Sequence, residues 1–420
     1  MDTYELTLTT FTYGGDCLGR IPDGRACFVP YALPGEHVRV RIVEEKRGHV
    51  RAELLAVLEP SAERISPRCP HHFALSHHQA ATERWCGGCH YQHLPYAAQL
   101  QAKTGILRDQ LERIGRIANP VLQPIVASPQ AWNYRNYIQF HLSEEGRLGF
   151  EGKALDGSTG ILPIRECHLP EETINATWPQ LDLAPTPGLA RIGLRLSGDD
   201  DVLLLLESAE ALEFDVENLP VSAVQIGPAG SMVLAGSDYF FIDVLDRSFR
   251  VSAESFFQVN TPLAAAMVEH VLANLPLTPA TTLLDAYCGV GLFSAFLAPR
   301  VARLIGVELS PSACDDFSSN LDEFDNVDLY QAAAEEVLPA LEVRPDIVLV
   351  DPPRAGLAPR ARQAILAMAP THIAYISCDP ATLARDARHI SESGYRLRQI
   401  TPFDLFPQTY HIESISFWER

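Results

Sequence analysis

The chain has 420 residues, 47% of them hydrophobic and 20% charged, the make-up of an ordinary globular protein with room for two or three domains. It holds no run of about 18 apolar residues, which argues against a helical membrane span, and nine cysteines are too few for a disulfide scaffold, so they read as ligands, nucleophiles or core residues. The net charge of −20 argues at first against nucleic acid, but residues 1–150 hold 16 Lys and Arg against 15 Asp and Glu, so the N-terminal part keeps an RNA-binding face possible.

The start, Met1-Asp2-Thr3-Tyr4-Glu5, lacks the basic and apolar regions of a secretory signal, so a cytoplasmic protein is expected. Thr3–Thr10, Ala26–Pro30, His37–Val43 and Arg51–Leu58 then read as strands. Turns at Gly14-Gly15, Pro22-Asp23-Gly24 and Pro34-Gly35-Glu36 separate them. Short strands at this spacing predict an OB-like barrel over 1–60. A linker over Pro60 to Arg68 leads to a central domain, 61–250, which opens on a segment rich in Cys and His. Tyr96–Ile114 is helical by pattern, with Leu100, Leu107, Leu111 and Ile114 on one side. Strands such as Ile138–Ser143, Arg191–Leu196, Val202–Glu207 and Phe240–Val244 follow.

From about 251 to 420 the rhythm changes. Apolar runs at Leu283–Asp285, Leu304–Glu308, Val327–Tyr330, Ile347–Asp351, Ile373–Ser377, Tyr395–Pro402 and Ile412–Trp418 alternate with helical stretches, the signature of a doubly wound, Rossmann-like α/β sheet. Such sheets bind ligands at the carboxyl ends of their strands. Asp285-Ala286-Tyr287-Cys288-Gly289-Val290-Gly291 is a strand end and glycine turn, where a missing Cβ lets backbone approach a ligand. Glu308 closes the next strand, placed to accept hydrogen bonds from ribose hydroxyls. Asp351-Pro352-Pro353-Arg354 closes another, its prolines stiffening the exit and aiming Asp351. Together these favour S-adenosylmethionine over a nicotinamide dinucleotide.

Cys378 ends the strand Ile373–Ser377, on the same rim as Asp285, Glu308 and Asp351. A free cysteine is usually a small buried hydrophobe; the rim position favours a reactive thiol. Glu413 lies at the start of the last strand among apolar neighbours. If that strand runs antiparallel, its beginning meets the same rim. A thiolate and a carboxylate are what methylation of uracil C5 requires: attack at C6 makes C5 nucleophilic, and a base must then remove the C5 proton. Elsewhere Cys69, Cys86, Cys89 and Cys167 supply four thiols. By ligand type they suit zinc or iron–sulfur, and His71, His72, His77, His78, His90 and His93 keep a mixed zinc site open.

On Asp285–Gly291, Asp351–Arg354, Ser377–Pro380, His411–Ser414 and Ser255-Phe256-Phe257-Gln258-Val259-Asn260, the chain resembles the uridine-5 RNA methyltransferases that act on 23S rRNA and tRNA. The resemblance implies Cys378 as nucleophile, Glu413 as base, and Gln258, Tyr287, Glu308 and Asp351 as contacts of S-adenosylmethionine. It implies a TRAM domain for the N-terminal barrel, and a [4Fe–4S] cluster on Cys69, Cys86, Cys89 and Cys167 with a structural or RNA-positioning role. The sixteen residues between Cys69 and Cys86 are more than that family usually has, so the insert 74–84 is expected to loop out. A monomer acting on 23S rRNA is the expectation. Its rivals are a tRNA uridine-54 C5-methyltransferase, an enzyme of exocyclic amino groups (which would often carry an aromatic where Arg354 stands), and a non-catalytic RNA-binding protein with a zinc knuckle.

Overall fold

The computed structural model describes residues 2–73, 83–154, 157–181, 186, 188–210, 212 and 221–420. Most of the insert 74–84, with His77 and His78, lies outside them.

Six strands form the N-terminal sheet, in the order Thr3–Thr7, His37–Glu45, His49–Glu59, Ala26–Val29, Cys17–Arg20, Thr10–Phe11. Its two edge strands are consecutive in the chain, so the sheet curls on itself into the expected barrel. Alternation directs Val38, Val40 and Ile42 inward, where Cys17 and Cys27 pack as ordinary core residues. The strand Cys17–Arg20 was not foreseen; its Gly19 and Arg20 blur the alternation. The segment 60–68 is tied down as well as connecting, because buried Glu36 accepts hydrogen bonds from Ser61 N and from Nε and Nη2 of Arg64. Phe73 and Trp85 join the barrel core, so the cysteine-bearing segment docks on the barrel.

The central sheet runs Thr159–Pro163, Leu148–Ala154, Tyr137–Leu142, Leu189–Leu196, Val202–Ser208, Ser222–Gly227, Gly230–Ala235, with Arg84–Cys86 paired to Leu148–Ala154. The hairpin Tyr239–Val244 and Arg247–Ser252 leads out of it.

The third sheet has seven strands in the order Val327–Gln331, Arg303–Glu308, Thr282–Ala286, Ile347–Val350, His372–Ser377, Glu413–Glu419, Arg396–Phe403. The four pairings from Val327–Gln331 to His372–Ser377 are parallel, whereas Glu413–Glu419 is antiparallel to both of its neighbours. Two cores cover the faces, one around Leu283, Phe293 and Ile376, the other around Leu284, Val348 and Tyr375. This is the doubly wound arrangement expected. Residues from the middle of the chain complete it: Leu122 and Val126 bridge to Ile400 and Phe403 at its edge.

The helix Tyr96–Arg113 departs from its expected face. Its buried residues are Gln99, Lys103, Ile106, Leu107, Gln110 and Leu111, whereas Ile114 is exposed and Leu100 half-buried. Lys103 is fully buried because its ammonium donates to Asp404 at 2.5 Å and to the Phe406 carbonyl at 3.0 Å. Gln99 exchanges hydrogen bonds with Gln408. A buried charge is tolerated when it is paired in this way.

Candidate active site

One cleft of about 690 Å³ at the carboxyl rim of the third sheet is lined by Gln258, Tyr287, Glu308, Asp351, Cys378 and Glu413 together. Every residue the sequence assigned to nucleophile, base and cofactor thus meets in one place. The glycine turn opens it: Gly289 has φ 54°, and a Cβ there would meet no atom within 4 Å. Gly291, at φ 90°, starts the helix Leu292–Leu297 and packs too closely on Leu321 and Phe317 to carry a side chain. Three backbone N–H groups, of Gly289, Leu309 and Ser310, donate to the Glu308 carboxylate at 2.7–3.0 Å and fix it at the rim. Gln258 is held through the backbone. The Asn136 amide donates to its carbonyl, and Asn260 caps the helix Thr261–Asn274 while bonding Ser128 and Leu405.

Register sets the nucleophile and the base. Ser377 pairs with Ser414 across the antiparallel contact, so the next residue on each side, Cys378 and Glu413, face one another at the sheet's end. Burial, then the neighbouring Glu413 and Asp351 charges, push the Cys378 thiol up to about 12, while Arg354 pulls it down. Burial and Asp351 push Glu413 up to about 8, again opposed by Arg354. Asp285 and Asp351 are pushed to about 7, chiefly by burial. A cleft with three carboxyls so destabilised as anions is one that a cation would relieve. Among the described residues Asp285 also keeps a buried oxygen, Oδ1, without a partner, while Oδ2 accepts from Ser294 at 2.6 Å.

Sequence reasoning missed three contributors. Arg354 was noted for not being aromatic, yet among the described residues it is the cleft's one Lys or Arg and the group opposing the carboxylates. His411 lines the cleft within 3.4 Å of the Arg354 guanidinium and is kept neutral, pushed down to about 3 by burial and Arg354. Phe256 stands 69% exposed at the cleft mouth; the motif Ser255–Asn260 named it, but only the structure tells it from buried Phe257.

The four cysteines form a second cluster outside the cleft. Cys86 ends a short strand on the central sheet, Cys89 and Cys167 pack with Tyr134 and Leu169, and Cys69 lies close enough to raise both Cys86 and Cys167. Burial is the larger cause, pushing Cys86 to about 11 and Cys167 to about 12. All four are free thiols. As they stand, no three His, Cys, Asp or Glu side chains among the described residues are arranged as a ready metal site. The thiols are therefore neighbours without being a closed ligand cage.

The chain is similar to several known proteins. Residues 230–420 match the tRNA (uracil-5-)-methyltransferase family and residues 2–55 the TRAM domain. An uncharacterized RNA methyltransferase of Halalkalibacterium halodurans is 33% identical over 100% of this chain and 97% of its own length. Another, of Thermosynechococcus vestitus, is 32% identical over 99% and 97%. The crystal structure of the Pyrococcus abyssi tRNA (uracil-54, C5)-methyltransferase with S-adenosyl-L-homocysteine shares the fold over 98% of this chain and 100% of that one, with a TM-score of 0.74 at 24% identity.

Proposed function

From the premise that the chain belongs to the S-adenosylmethionine-dependent uracil-5 RNA methyltransferases, with an N-terminal TRAM domain, we propose that Cys378 and Glu413 methylate C5 of a uridine in 23S rRNA through a covalent adduct. The observation that carries this is the register facing Cys378 to Glu413 on the cofactor cleft.

S-adenosylmethionine supplies the methyl group as an electrophile. The donor set suits it: Gly289 leaves room, Glu308 and Gln258 stand at the rim, Asp285 Oδ1 awaits a donor, and the raised carboxyls favour a sulfonium cation. Phe256 offers an exposed ring on which an unstacked base can rest. With the Arg354 charge favouring the anion, the Cys378 thiol loses its proton to solvent, and the thiolate sulfur bonds to C6. The electron pair shifted to C5 takes the methyl group, whose bond to sulfur breaks to leave S-adenosyl-L-homocysteine. Glu413 removes the C5 proton, the C5–C6 double bond re-forms, and the bond to sulfur breaks to release the thiolate. At rest the thiol is protonated and Glu413 largely so at neutral pH, so the pair is ready only once the cleft gains positive charge. A Cys378→Ala protein that still methylates RNA would overturn this mechanism.

Cys69, Cys86, Cys89 and Cys167 offer the four sulfur donors that a [4Fe–4S] cluster takes. Such a group would pin Cys69, Cys86 and Cys89 to Cys167 of the central domain. The methyl transfer uses no electron from it. An iron and acid-labile sulfide assay with a visible spectrum of anaerobically purified protein separates this from zinc.

The resemblance supports 23S rRNA as substrate, since a TRAM barrel is a mark of the ribosomal RNA branch of the family that the sequence resembles. A tRNA uridine is the second reading, supported by the full-length likeness to a tRNA-modifying enzyme. Mapping 5-methyluridine in both RNAs from a deletion strain decides between them.

A further inference from the structure

The barrel reaches the methyltransferase rim through one hairpin tip, residues 12–16. Thr12 N donates to the Asp16 carbonyl at 2.8 Å, and Gly15 N to the Thr12 carbonyl at 3.3 Å, so the tip is a closed loop that presents Tyr13 outward. The Tyr13 hydroxyl donates to Asp379 Oδ2 at 2.6 Å, joining residues 366 positions apart. Asp379 follows the nucleophile directly. Its other oxygen, Oδ1, accepts from Ala381 N and Thr382 N and caps the helix Pro380–Glu392. Among the described residues, Oδ2 has Tyr13 as its hydrogen-bond partner and no other.

The same tip also touches the loop that leads into Glu413. The Tyr13 ring meets Tyr410 edge-on at 5.8 Å between centroids, and Tyr410 lies 4.4 Å from His411. At Gly15, with φ 92°, a Cβ would come within 3.3 Å of His90 Cβ and 3.4 Å of Tyr410 Cδ1, so bare backbone packs there. His90 N and Tyr91 N in turn donate to the Gln408 carbonyl at 2.8 and 3.0 Å. One hairpin of the barrel therefore contacts the loop carrying the nucleophile and the loop preceding the base.

We propose that Tyr13 is a positioning residue for the methyl transfer: its hydroxyl holds Asp379 while its ring holds Tyr410, so that the barrel sets the spacing of Cys378 and Glu413. This rests on the reading of those two residues as nucleophile and base. Misplacement by a fraction of an ångström suffices to slow a bond-forming step without weakening binding. The hydroxyl stays a donor at any working pH, because burial and Asp379 both raise its pKa.

The experiment compares wild type with Tyr13→Phe, which keeps the ring and removes the hydroxyl, and Tyr13→Ala, which removes both contacts. RNA transcripts of 23S rRNA and tRNA made with 5-fluorouridine serve as probes, since fluorine at C5 leaves no proton to remove and the adduct accumulates. Tyr13→Phe is expected to form adduct, and to turn over ordinary RNA, about tenfold more slowly. Its KM for RNA, its Kd for S-adenosylmethionine and its melting temperature should match wild type; Tyr13→Ala should be slower still. If Tyr13→Phe reacts at the wild-type rate, or if its losses lie in melting temperature and RNA affinity alone, Tyr13 is a docking contact and the proposal fails. If wild type itself forms no adduct through Cys378, the nucleophile assignment fails and takes the proposal with it.

Discussion

The molecule holds two gatherings of thiol and carboxyl chemistry, and they are built in different ways. At the methyltransferase rim, strand ends place the residues: the parallel strands bring Asp285, Glu308 and Asp351 to one edge, and the antiparallel register brings Glu413 to Cys378. In the cysteine cluster, loops and one three-residue strand bring together side chains up to 98 positions apart in sequence, Cys69 and Cys167. Both environments raise their thiols by burial, but the rim adds Arg354 as a local counterweight and two raised carboxyls as neighbours. A site fixed by backbone register has its residues in place before anything binds. A cluster fixed by loops has no such frame, and a group that its sulfurs could ligate would supply one.

The largest effect expected from this contrast is at the rim. Cys378→Ala should lower methyl transfer by at least about 10³-fold while binding of S-adenosylmethionine, read by calorimetry, survives. Wild-type turnover in that protein would erase the distinction between the two sets of thiols. Cys89→Ser should do the reverse. It should lower the melting temperature and the yield of folded protein first, with activity per folded molecule largely kept; a selective loss of turnover at unchanged stability would give the cluster a catalytic part.

The support beneath the rim is tested by Lys103→Met. Removing one partner of the fully buried Lys103–Asp404 pair should cost about 3–5 kcal/mol of stability in denaturant unfolding. A near-neutral result would mean that the loop before Glu413 is held by its other hydrogen bonds, those of Gln99, His90, Tyr91 and Asn260, without the buried ion pair.

A smaller effect concerns charge. Arg354→Ala should move the pH–rate profile upward by raising the thiol further, with about a tenfold loss near neutral pH. Smallest is the pH dependence of cofactor binding. Glu413 near 8 and Asp285 and Asp351 near 7 are substantially protonated at pH 6 and ionised by pH 9, so a cation should bind more tightly as pH rises and release protons. For the free protein the sign is opposite. These carboxyls hold protons more tightly folded than unfolded, so their contribution to stability is full below about pH 4 and is lost as pH climbs through 7–8. Calorimetry in buffers of different ionisation enthalpy reads the proton release; its absence would mean that the carboxyls are not coupled to the cofactor.

Much of this rim was legible in the sequence because strand alternation and strand-end motifs are local signals. The glycine turn, Glu308, the two prolines and the cysteine after Ser377 each announce a strand end, and a doubly wound sheet gathers strand ends by topology. What was hidden depends on partners far along the chain. Gln99 and Lys103 face inward because Gln408 and Asp404 await them, which no helical periodicity reveals. The role of Tyr13 needs a contact across 366 positions. Phe256 and Phe257 are the same residue type side by side, and only the cleft decides which one stays exposed.

The most direct test of the account is Glu413→Gln with an RNA substrate and S-adenosylmethionine. With the base disabled and the nucleophile intact, a covalent protein–RNA species should accumulate as a slowly migrating band on a denaturing gel, and the crosslink should map to Cys378. Normal turnover without such a band, or a crosslink at another residue, would contradict the pairing of Cys378 with Glu413 on which the mechanism stands.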